Sequence, residues 1–370
     1  MRVTKPSVTV LLILFLPLLA FLPLAHAAEQ QPWVKFSGNP VLTPTADAWD
    51  SEFVVQPAVL YDQAKYRMWY LGCREGVTGI GYAESDNGVT WTKHGPPVLS
   101  PGPQGTWDST EVGLGSVIWD GTRFLMYYRG ASPIFTGGAI GLATSSDGIV
   151  WVKYSGNPVL KPSSVDQKYM GSPEVLQTSA LFNMWYSARS ADDPTTSQVQ
   201  RLLYATSFDG LHWQKYTGVP KVALEPNSTT AVWDSGSVYS VSVYSDGTNH
   251  GMWYSALNQT FLEPKIGFAT SKDLTSWTKF SGNPVLEPGL GGSWDSVGVE
   301  NPSIVVGKLG FMLFYDGIGE MISGSIGFAQ PPMGFEIPEF DMTTLGLFAG
   351  VLMVVISMVK PTLRRTSVSD

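Results

Sequence analysis

A tryptophan recurs five times along this chain at a near-constant interval, and this repeat limits the possible folds more than any other feature. Trp33, Trp91, Trp151, Trp213 and Trp277 stand 58, 60, 62 and 64 residues apart, and each is followed by a lysine two positions later. The segment KFSGNPVL occurs at residues 35–42 and again at 279–286. A repeat of this length indicates one supersecondary unit used several times.

Each unit contains four short segments in which apolar and polar residues alternate, separated by Gly, Asn, Asp and Pro. In the second unit these predicted strands cover residues 112–119, 124–129, 139–144 and 151–154. Four antiparallel strands per unit, repeated radially, predict an all-β, five-bladed β-propeller over residues 28–330. The chain begins with a fourth-strand segment at 33–36 and ends with a third-strand segment at 325–329. We therefore expect the N-terminal strand to complete the last blade, which removes the open edge.

Many conspicuous residues of the repeat are expected to be structural. Turns such as SSDGIVW at 145–151 place Asp and Gly in a tight turn and Trp between blades. The tripeptide Trp-Asp-Ser begins at Trp49, Trp107, Trp233 and Trp294, just before the first strand of a unit. We interpret its Asp as a turn-stabilising acceptor, since a catalytic group would not need four copies.

The two ends of the chain predict export and anchoring. Basic residues, an apolar run at 8–24 and Ala25-His26-Ala27 predict a signal peptide over 1–27, with an uncleaved membrane anchor as the alternative. Residues 331–342 are a linker that contains IPEF, 343–360 a predicted transmembrane helix, and 361–370 a basic tail expected in the cytoplasm. This order resembles the PEF-type C-terminal sorting signals of archaea. A plain single-pass anchor, the alternative, gives the same cell-surface location.

Composition excludes some partners. The net charge is −8 with no basic cluster outside the termini, which argues against nucleic acid. One cysteine, Cys73, allows no internal disulfide. No His-rich or Cys-rich spacing typical of a metal site is present, and no cofactor is predicted, although calcium on oxygen ligands stays open. We expect a monomer.

Residues that break the repeat are the candidates for chemistry. Glu174 and Glu300 occupy positions of the first, innermost strands that hold small or apolar residues in other units, and such carboxylates are costly unless used or paired. Further candidates stand in the same columns, at the strand entrances or after second strands: Gln56, Tyr239, Asn301, Glu52, Glu111, Arg129 and Asp316. Arg74, Arg189, Glu320, Asp192 and Asp193 reach the same face. The alternative for each of these residues is a structural role, as a solvated charge in a loop or as one member of an ion pair.

Five units, these turns and the x-Pro-x pattern of the inner strands resemble the five-bladed propeller glycosidases of the arabinanase, invertase and levansucrase type. The resemblance covers nearly all of residues 32–330. It implies carboxylates at the channel mouth that cut glycosidic bonds, one as acid and another as base or nucleophile. Glu300-Asn301-Pro302 matches the spacing of the acid in the arabinanase-like branch, but lies in the last blade instead of a middle one. Gln56 stands where that family has its basic Asp, and a neutral amide cannot take a proton from water.

Two functions follow from these residues. The first is a glycoside hydrolase in which Glu300 protonates the leaving oxygen and Glu174 or Glu111 activates water. In this hypothesis a carbohydrate substrate is bound by Gln56, Glu52, Arg129, Tyr239, Asn301 and Asp316. The second is a non-catalytic surface propeller that binds glycan or protein, which Gln56 favours. A sialidase is a poor third, because those propellers have six blades and an arginine triad.

Overall fold

The computed structural model describes residues 33–331 except 63, 165, 167, 180, 190–198, 219–221, 230–231, 261–262, 309 and 321–323. Among these residues, no helix is long and apolar enough to cross a membrane. The predicted signal peptide, transmembrane segment and basic tail lie outside the described residues, as does the linker after its first residue. Asp192 and Asp193 also lie outside them.

Twenty strands form five separate four-stranded antiparallel sheets, which confirms the predicted five-bladed β-propeller. Blade 1 consists of β2 (Phe53–Tyr61), β3 (Tyr66–Arg74), β4 (Val77–Ser85) and β5 (Thr92–Lys93). Blade 2 consists of β6 (Glu111–Trp119), β7 (Phe124–Ala131), β8 (Ala139–Ser145) and β9 (Val152–Lys153). Blade 3 consists of β10 (Tyr169–Gln177), β11 (Phe182–Arg189), β12 (Arg201–Ser207) and β13 (Gln214–Lys215).

Blade 4 consists of β14 (Ser237–Ser245), β15 (His250–Leu257), β16 (Lys265–Ser271) and β17 (Thr278–Lys279). Blade 5 consists of β18 (Gly298–Gly307), β19 (Gly310–Ile318), β20 (Ser325–Gln330) and the N-terminal β1 (Val34–Lys35). Strand β1 pairs antiparallel with β20, so the first strand of the chain closes the last blade, as the sequence predicts. The innermost strands β2, β6, β10, β14 and β18 contact one another in this order, and β18 contacts β2. The ring is therefore closed.

The repeated tryptophan packs each blade against the one before it. Its ring makes edge contacts with Phe314, Trp69, Tyr127, Trp185 or Trp253 of the neighbouring blade, at centroid distances of 5.6–6.0 Å. Such aromatic pairs add to the stabilisation that area burial provides. The prediction that this residue is structural is confirmed.

The motif KFSGNPVL has the same structural role in both copies. Its asparagine side chain forms two hydrogen bonds with the backbone of the third strand of the blade. Asn39 accepts a hydrogen bond from Phe328 N and donates one to Phe328 O. Asn283 does the same with Phe268. The motif recurs because both copies attach a fourth strand to a third one.

The repeated Asp has a larger role than the turn acceptor that the sequence suggested. In every blade a buried Asp before the inner strand forms an ion pair with the lysine of the fourth strand, at 2.5–2.6 Å. The five acids are Asp50, Asp108, Asp166, Asp234 and Asp295, each at most 2 % exposed. The lysine of the Trp-x-Lys motif and the Asp of the Trp-Asp-Ser motif thus form one ion pair. An Asp that is so deeply buried needs a charged partner. Asp166, which lacks the preceding Trp, was missed in the sequence.

Candidate functional site

The inner strands begin at one end of the propeller, which we call the mouth, and each has a β-bulge a few residues after its start. The bulge residue has a positive φ in four of the five strands: 53° at Gln56, 47° at Ser172, 39° at Ser240 and 51° at Asn301. A positive φ is uncommon in residues other than glycine. The bulges turn backbone N–H groups sideways, and the following contacts show what those groups bind.

The first set of contacts, the mouth ring, joins the bulge amides to the second strand of the preceding blade. Ser187 Oγ accepts from Ser240 N at 3.0 Å, and Ser255 Oγ accepts from Asn301 N at 2.8 Å. Asp316 has the same position in blade 5, and its carboxylate accepts from Gln56 N at 2.8 and 2.9 Å. Asp316 therefore replaces a serine of the repeat and holds blades 5 and 1 together.

Gln56 continues the mouth ring toward blade 2. The equivalent second-strand residue of blade 1 is Leu71, which has no acceptor. Instead, Gln56 Oε1 accepts from Leu114 N at 3.0 Å. Both the backbone and the side chain of Gln56 are thus engaged in contacts between blades, which explains an amide at this position without reference to a substrate.

A second set of contacts, the channel ring, lies beyond the bulges and faces the central channel. Ser116, Ser242 and Ser303 each accept a hydrogen bond from a backbone N–H of the next blade at 2.9–3.0 Å. Glu174 occupies the same position in blade 3, and its Oε1 accepts from Val243 N at 2.9 Å. Ala58 occupies it in blade 1 and has no acceptor to offer to Val117 N.

The position of Glu174 separates it from the mouth. It lines a channel cavity of about 200 Å³ together with the channel ring, the bulge residues and the apolar residues beyond them. Glu300, Tyr239, Asp316 and Arg129 are not among the residues that line this cavity. Burial raises the pKa of Glu174 to about 8, although the bonds from Val243 N and Ser242 Oγ oppose the shift.

Glu300 stands on the mouth side of its bulge, beside residues from three blades. Tyr239 Oη donates a hydrogen bond to Glu300 Oε2 at 2.6 Å. Glu300 also pairs in register with Asp316 across the β18–β19 ladder. Asn301 Nδ2 donates to Asp316 Oδ2 at 2.6 Å. The sequence-predicted residues Glu300, Tyr239, Asp316, Asn301 and Gln56 are therefore brought together, and we call them the Glu300 site.

The two carboxyl groups of this site influence each other. Burial raises the pKa of Glu300, and the Tyr239 hydrogen bond partly offsets this. Burial and then the charge of Glu300 raise the pKa of Asp316, which is fully buried, well above its usual range. Such a pair titrates as a unit and keeps a proton at pH values where a solvated carboxyl has lost it. The hydrogen bonds that Asp316 accepts from Gln56 N and Asn301 Nδ2 favour its ionised form and partly oppose the rise in its pKa.

Arginine and tyrosine residues form the opposite side of the mouth. Arg129 forms an ion pair with Glu111, whose side chain is 43 % exposed, whereas that of Arg129 is 11 % exposed. The guanidinium groups of Arg129 and Arg189 lie over the Tyr169 ring, 5.3 and 4.9 Å from its centroid. A Cβ at Gly171 would lie 2.7 Å from Arg129 Cδ, so the glycine makes room for this arginine.

Arg129 interrupts the mouth ring, because it stands where Ser187 and Ser255 accept a hydrogen bond in blades 3 and 4. Tyr169 was missed among the sequence candidates. It occupies the same column as Glu111, four residues before the Pro or Gly of the bulge, and an extended column comparison could have found it.

The remaining predicted residues lie apart from these groups. Glu52 accepts from Glu75 N at 2.7 Å and from Cys73 Sγ at 3.3 Å, and these bonds lower its pKa. It thereby fixes the turn after β3. Arg74 donates to Asp47 O at 2.5 Å. Among the described residues, no group of three or more His, Cys, Asp or Glu side chains is arranged to hold a metal ion.

We compared the sequence and the fold with those of known proteins. No family model matches the chain. An uncharacterized protein of Mycobacterium tuberculosis strain H37Rv is 27% identical over 227 residues, which are 60% of this chain and 72% of that protein. A protein of the same description from strain CDC 1551 matches equally.

Solved structures match over most of the chain. A glycoside hydrolase has a TM-score of 0.65 at 21% identity and covers 85% of this chain and 96% of its own. A structure from the GH130 family of mannoside phosphorylases, which contains glycoside hydrolases that target β-1,2 mannosidic linkages in Candida mannan, has 0.62 at 14%, with coverages of 82% and 94%. A thermostable family-43 glycoside hydrolase has 0.61 at 18%, with coverages of 78% and 91%. At these identities the likeness establishes the fold, which is that of glycoside hydrolase propellers.

Proposed function

We propose that the protein cleaves glycosidic bonds of an oligo- or polysaccharide at the mouth of the propeller, with Glu300 as general acid. The observation that carries this proposal is the Glu300 site itself: a half-buried carboxyl, bonded to Tyr239 and paired with Asp316, in a position that breaks the repeat. A glycosidic acid must keep its proton near neutral pH, and burial together with a second carboxylate produces that condition. The glycoside hydrolase propellers among the structural neighbours support the substrate class.

We assign the activation of water to Glu111. Of the carboxylates considered as base, Glu174 lies in the channel and is engaged in the channel ring, whereas Glu111 lies at the mouth with an exposed side chain. The ion pair with Arg129 fixes the orientation of Glu111. In this reaction Glu300 gives its proton to the leaving oxygen, water attacks the anomeric carbon, and Glu111 accepts the proton of that water.

The test compares the full chain with its Glu300→Gln variant on a panel of oligosaccharides and aryl glycosides. Released reducing sugar is the readout. Each reaction is run with and without inorganic phosphate, since one structural neighbour comes from a family of mannoside phosphorylases. Hydrolysis by the parent that is lost in the variant supports the proposal, and equal hydrolysis by both contradicts the role of Glu300.

A non-catalytic binding propeller is the second candidate, and a specific observation favours it. Gln56 occupies the position of the base in the glycosidases that the sequence resembles, and both its backbone N–H and its side chain are committed to neighbouring blades. If the parent binds a glycan of the panel in calorimetry but releases no sugar with or without phosphate, this second function replaces the first.

We also propose that the propeller acts outside the cell, exported by residues 1–27 and anchored by residues 343–360. The apolar runs and the basic tail of the sequence support this location. Protease treatment of intact cells that express the full chain with a C-terminal tag tests it. The propeller should be degraded while the tag is protected, and a protected propeller contradicts the proposal.

A further inference from the structure

At the end of the propeller opposite the mouth, a cleft of about 740 Å³ lies between blades 1 and 2. Its walls include Tyr61, Arg67, Trp119, Phe124 and Asp147. We call it the Trp119 cleft. Trp119 is the last residue of β6, so the cleft lies beyond the far end of the inner strand that begins at Glu111.

Trp119 is unusual among the tryptophans of this protein. All thirteen lie within the described residues, and Trp119 is the only exposed one, with 48% of its surface accessible. Its ring is supported by an edge contact with Phe124, at a centroid distance of 4.8 Å. Tryptophan is enriched at surfaces that bind a partner, because its large apolar ring carries a polar N–H group at its edge.

The Trp119 cleft also breaks the repeat, which is the criterion that identifies the Glu300 site. The positions equivalent to Trp119 hold Tyr61, Gln177, Ser245 and Val306, and those equivalent to Arg67 hold Leu125, Asn183, Gly251 and Met312. An exposed tryptophan and an arginine were therefore introduced together at one interface between blades. Blade packing does not need them, because the other blades pack without them.

Arg67 and Asp147 supply polar groups to the same cleft. Arg67 Nε donates to Asp62 Oδ2 at 2.7 Å, and Arg67 Nη1 donates to Tyr82 Oη at 2.8 Å. The guanidinium lies 5.7 Å from the Phe124 ring centroid. Asp147 Oδ1 accepts from Ile149 N and Val150 N, while its Oδ2 accepts no hydrogen bond from the described residues. A fixed donor and an available acceptor thus line the same cleft as Trp119.

We propose that the Trp119 cleft is a second carbohydrate-binding site, which takes a neutral sugar ring stacked on Trp119 with its hydroxyls bonded to Arg67 and Asp147. A pyranose or furanose ring has an apolar face and a rim of hydroxyl groups, which matches an aromatic platform bordered by polar groups. An anionic ligand fits less well, because the charge of Arg67 is already balanced by Asp62. The site is independent of any cleavage at the mouth, and it would hold a polymer while another part of it reaches Glu300.

The test is the retardation of the full chain in native gels that contain arabinan or mannan. The Trp119→Ala variant should lose at least fivefold in retardation. Trp119→Tyr, which introduces the residue found at this position in blade 1, should retain most of it. Phe208→Ala removes another exposed aromatic side chain, 88% accessible, from a turn of blade 3 and is the matched control. Glu300→Gln should be retarded like the parent, which separates this site from the mouth.

Four results would overturn the proposal. The first is equal retardation of Trp119→Ala and the parent, which places any binding elsewhere. The second is no retardation of the parent by either polymer. The third is sedimentation of the parent as an oligomer that Trp119→Ala dissociates, which makes this face an interface between copies of the chain. Loss of retardation in Glu300→Gln alone would locate binding at the mouth.

Discussion

Glu300 and Asp316 stand opposite each other across the β18–β19 ladder, and each has a different hydrogen-bond environment. Glu300 accepts a hydrogen bond from the Tyr239 hydroxyl, whereas Asp316 accepts hydrogen bonds from N–H groups of Gln56 and Asn301. Asp316 occupies a position that is serine in blades 3 and 4. Asp316 thus maintains the contact between blades 5 and 1, and its titration is coupled to that of Glu300.

Replacement of Asp316 by Ser should keep the fold and change the pH profile. The Ser hydroxyl can accept from Gln56 N, as Ser187 and Ser255 do for their partners. Without the second carboxyl group, the raised upper pKa of the coupled pair is lost, so the alkaline limb of the cleavage rate should move to lower pH. We expect a shift of about one pH unit, which corresponds to roughly 1.4 kcal/mol. A pH–rate profile of kcat/KM measures it, and an unchanged limb would contradict the coupling.

Replacement of Tyr239 by Phe should shift the same limb in the opposite direction. The Tyr239 hydroxyl stabilises the ionised form of Glu300, so its loss should raise the pKa of Glu300. The alkaline limb should then move upward by about one pH unit, given the usual strength of a hydrogen bond to a charged group. Parallel shifts of the Tyr239 and Asp316 variants would show that the limb reports another residue.

Replacement of Glu174 by Gln should make the stability of the fold less dependent on pH. The pKa of Glu174 is about 8 in the folded protein against a usual value of 4.5, so the folded state binds more protons between these pH values. Stability should therefore fall as pH rises from about 4.5 to about 8, by an amount on the order of a few kcal/mol. Gln keeps an oxygen for Val243 N and cannot ionise.

The measurement for Glu174 is the thermal unfolding of parent and variant from pH 5 to pH 9. The variant should be clearly more stable than the parent at pH 9, and the two should converge toward pH 5. Glu225→Gln, which removes an exposed carboxylate after blade 3, is the control. The contradicting result is a stability difference between Glu174→Gln and the parent that is the same at every pH in this range. That result would show that ionisation of Glu174 in the channel costs no free energy of folding.

Replacement of Ala58 by Ser should complete the channel ring. Serine at this position in blades 2, 4 and 5 accepts an N–H from the next blade, and Ala58 leaves Val117 N without this bond. We expect a gain of about 1 kcal/mol in the free energy of unfolding. The reverse change, Ser303→Ala, should cost about 1 to 3 kcal/mol because it removes the acceptor of a buried N–H. Denaturant titration measures both, and destabilisation by Ala58→Ser would show that its hydroxyl cannot reach Val117.

The sequence alone determined the architecture. The spacing of Trp33, Trp91, Trp151, Trp213 and Trp277 predicted five blades, and the strand types at the two ends of the repeat region predicted closure by the N-terminus. These predictions succeeded because a repeated unit must pack in the same way in every copy. A sequence pattern that all five copies share therefore reflects the geometry of the blade. The same comparison identified Glu174 and Glu300 as departures from the repeat.

Some residues that break the repeat hold the blades together, and others face the mouth. Only the tertiary structure distinguished these two groups. In the sequence, Glu174 and Glu300 are equivalent: each is a carboxylate in a column of small residues. In the structure, Glu174 replaces a serine of the channel ring, Gln56 and Asp316 hold blades together, and Glu300 faces the mouth beside Tyr239. The reason is physical: a hydrogen bond between blades joins residues some 60 positions apart, and neither its direction nor the side of the bulge on which a residue stands is encoded in local spacing.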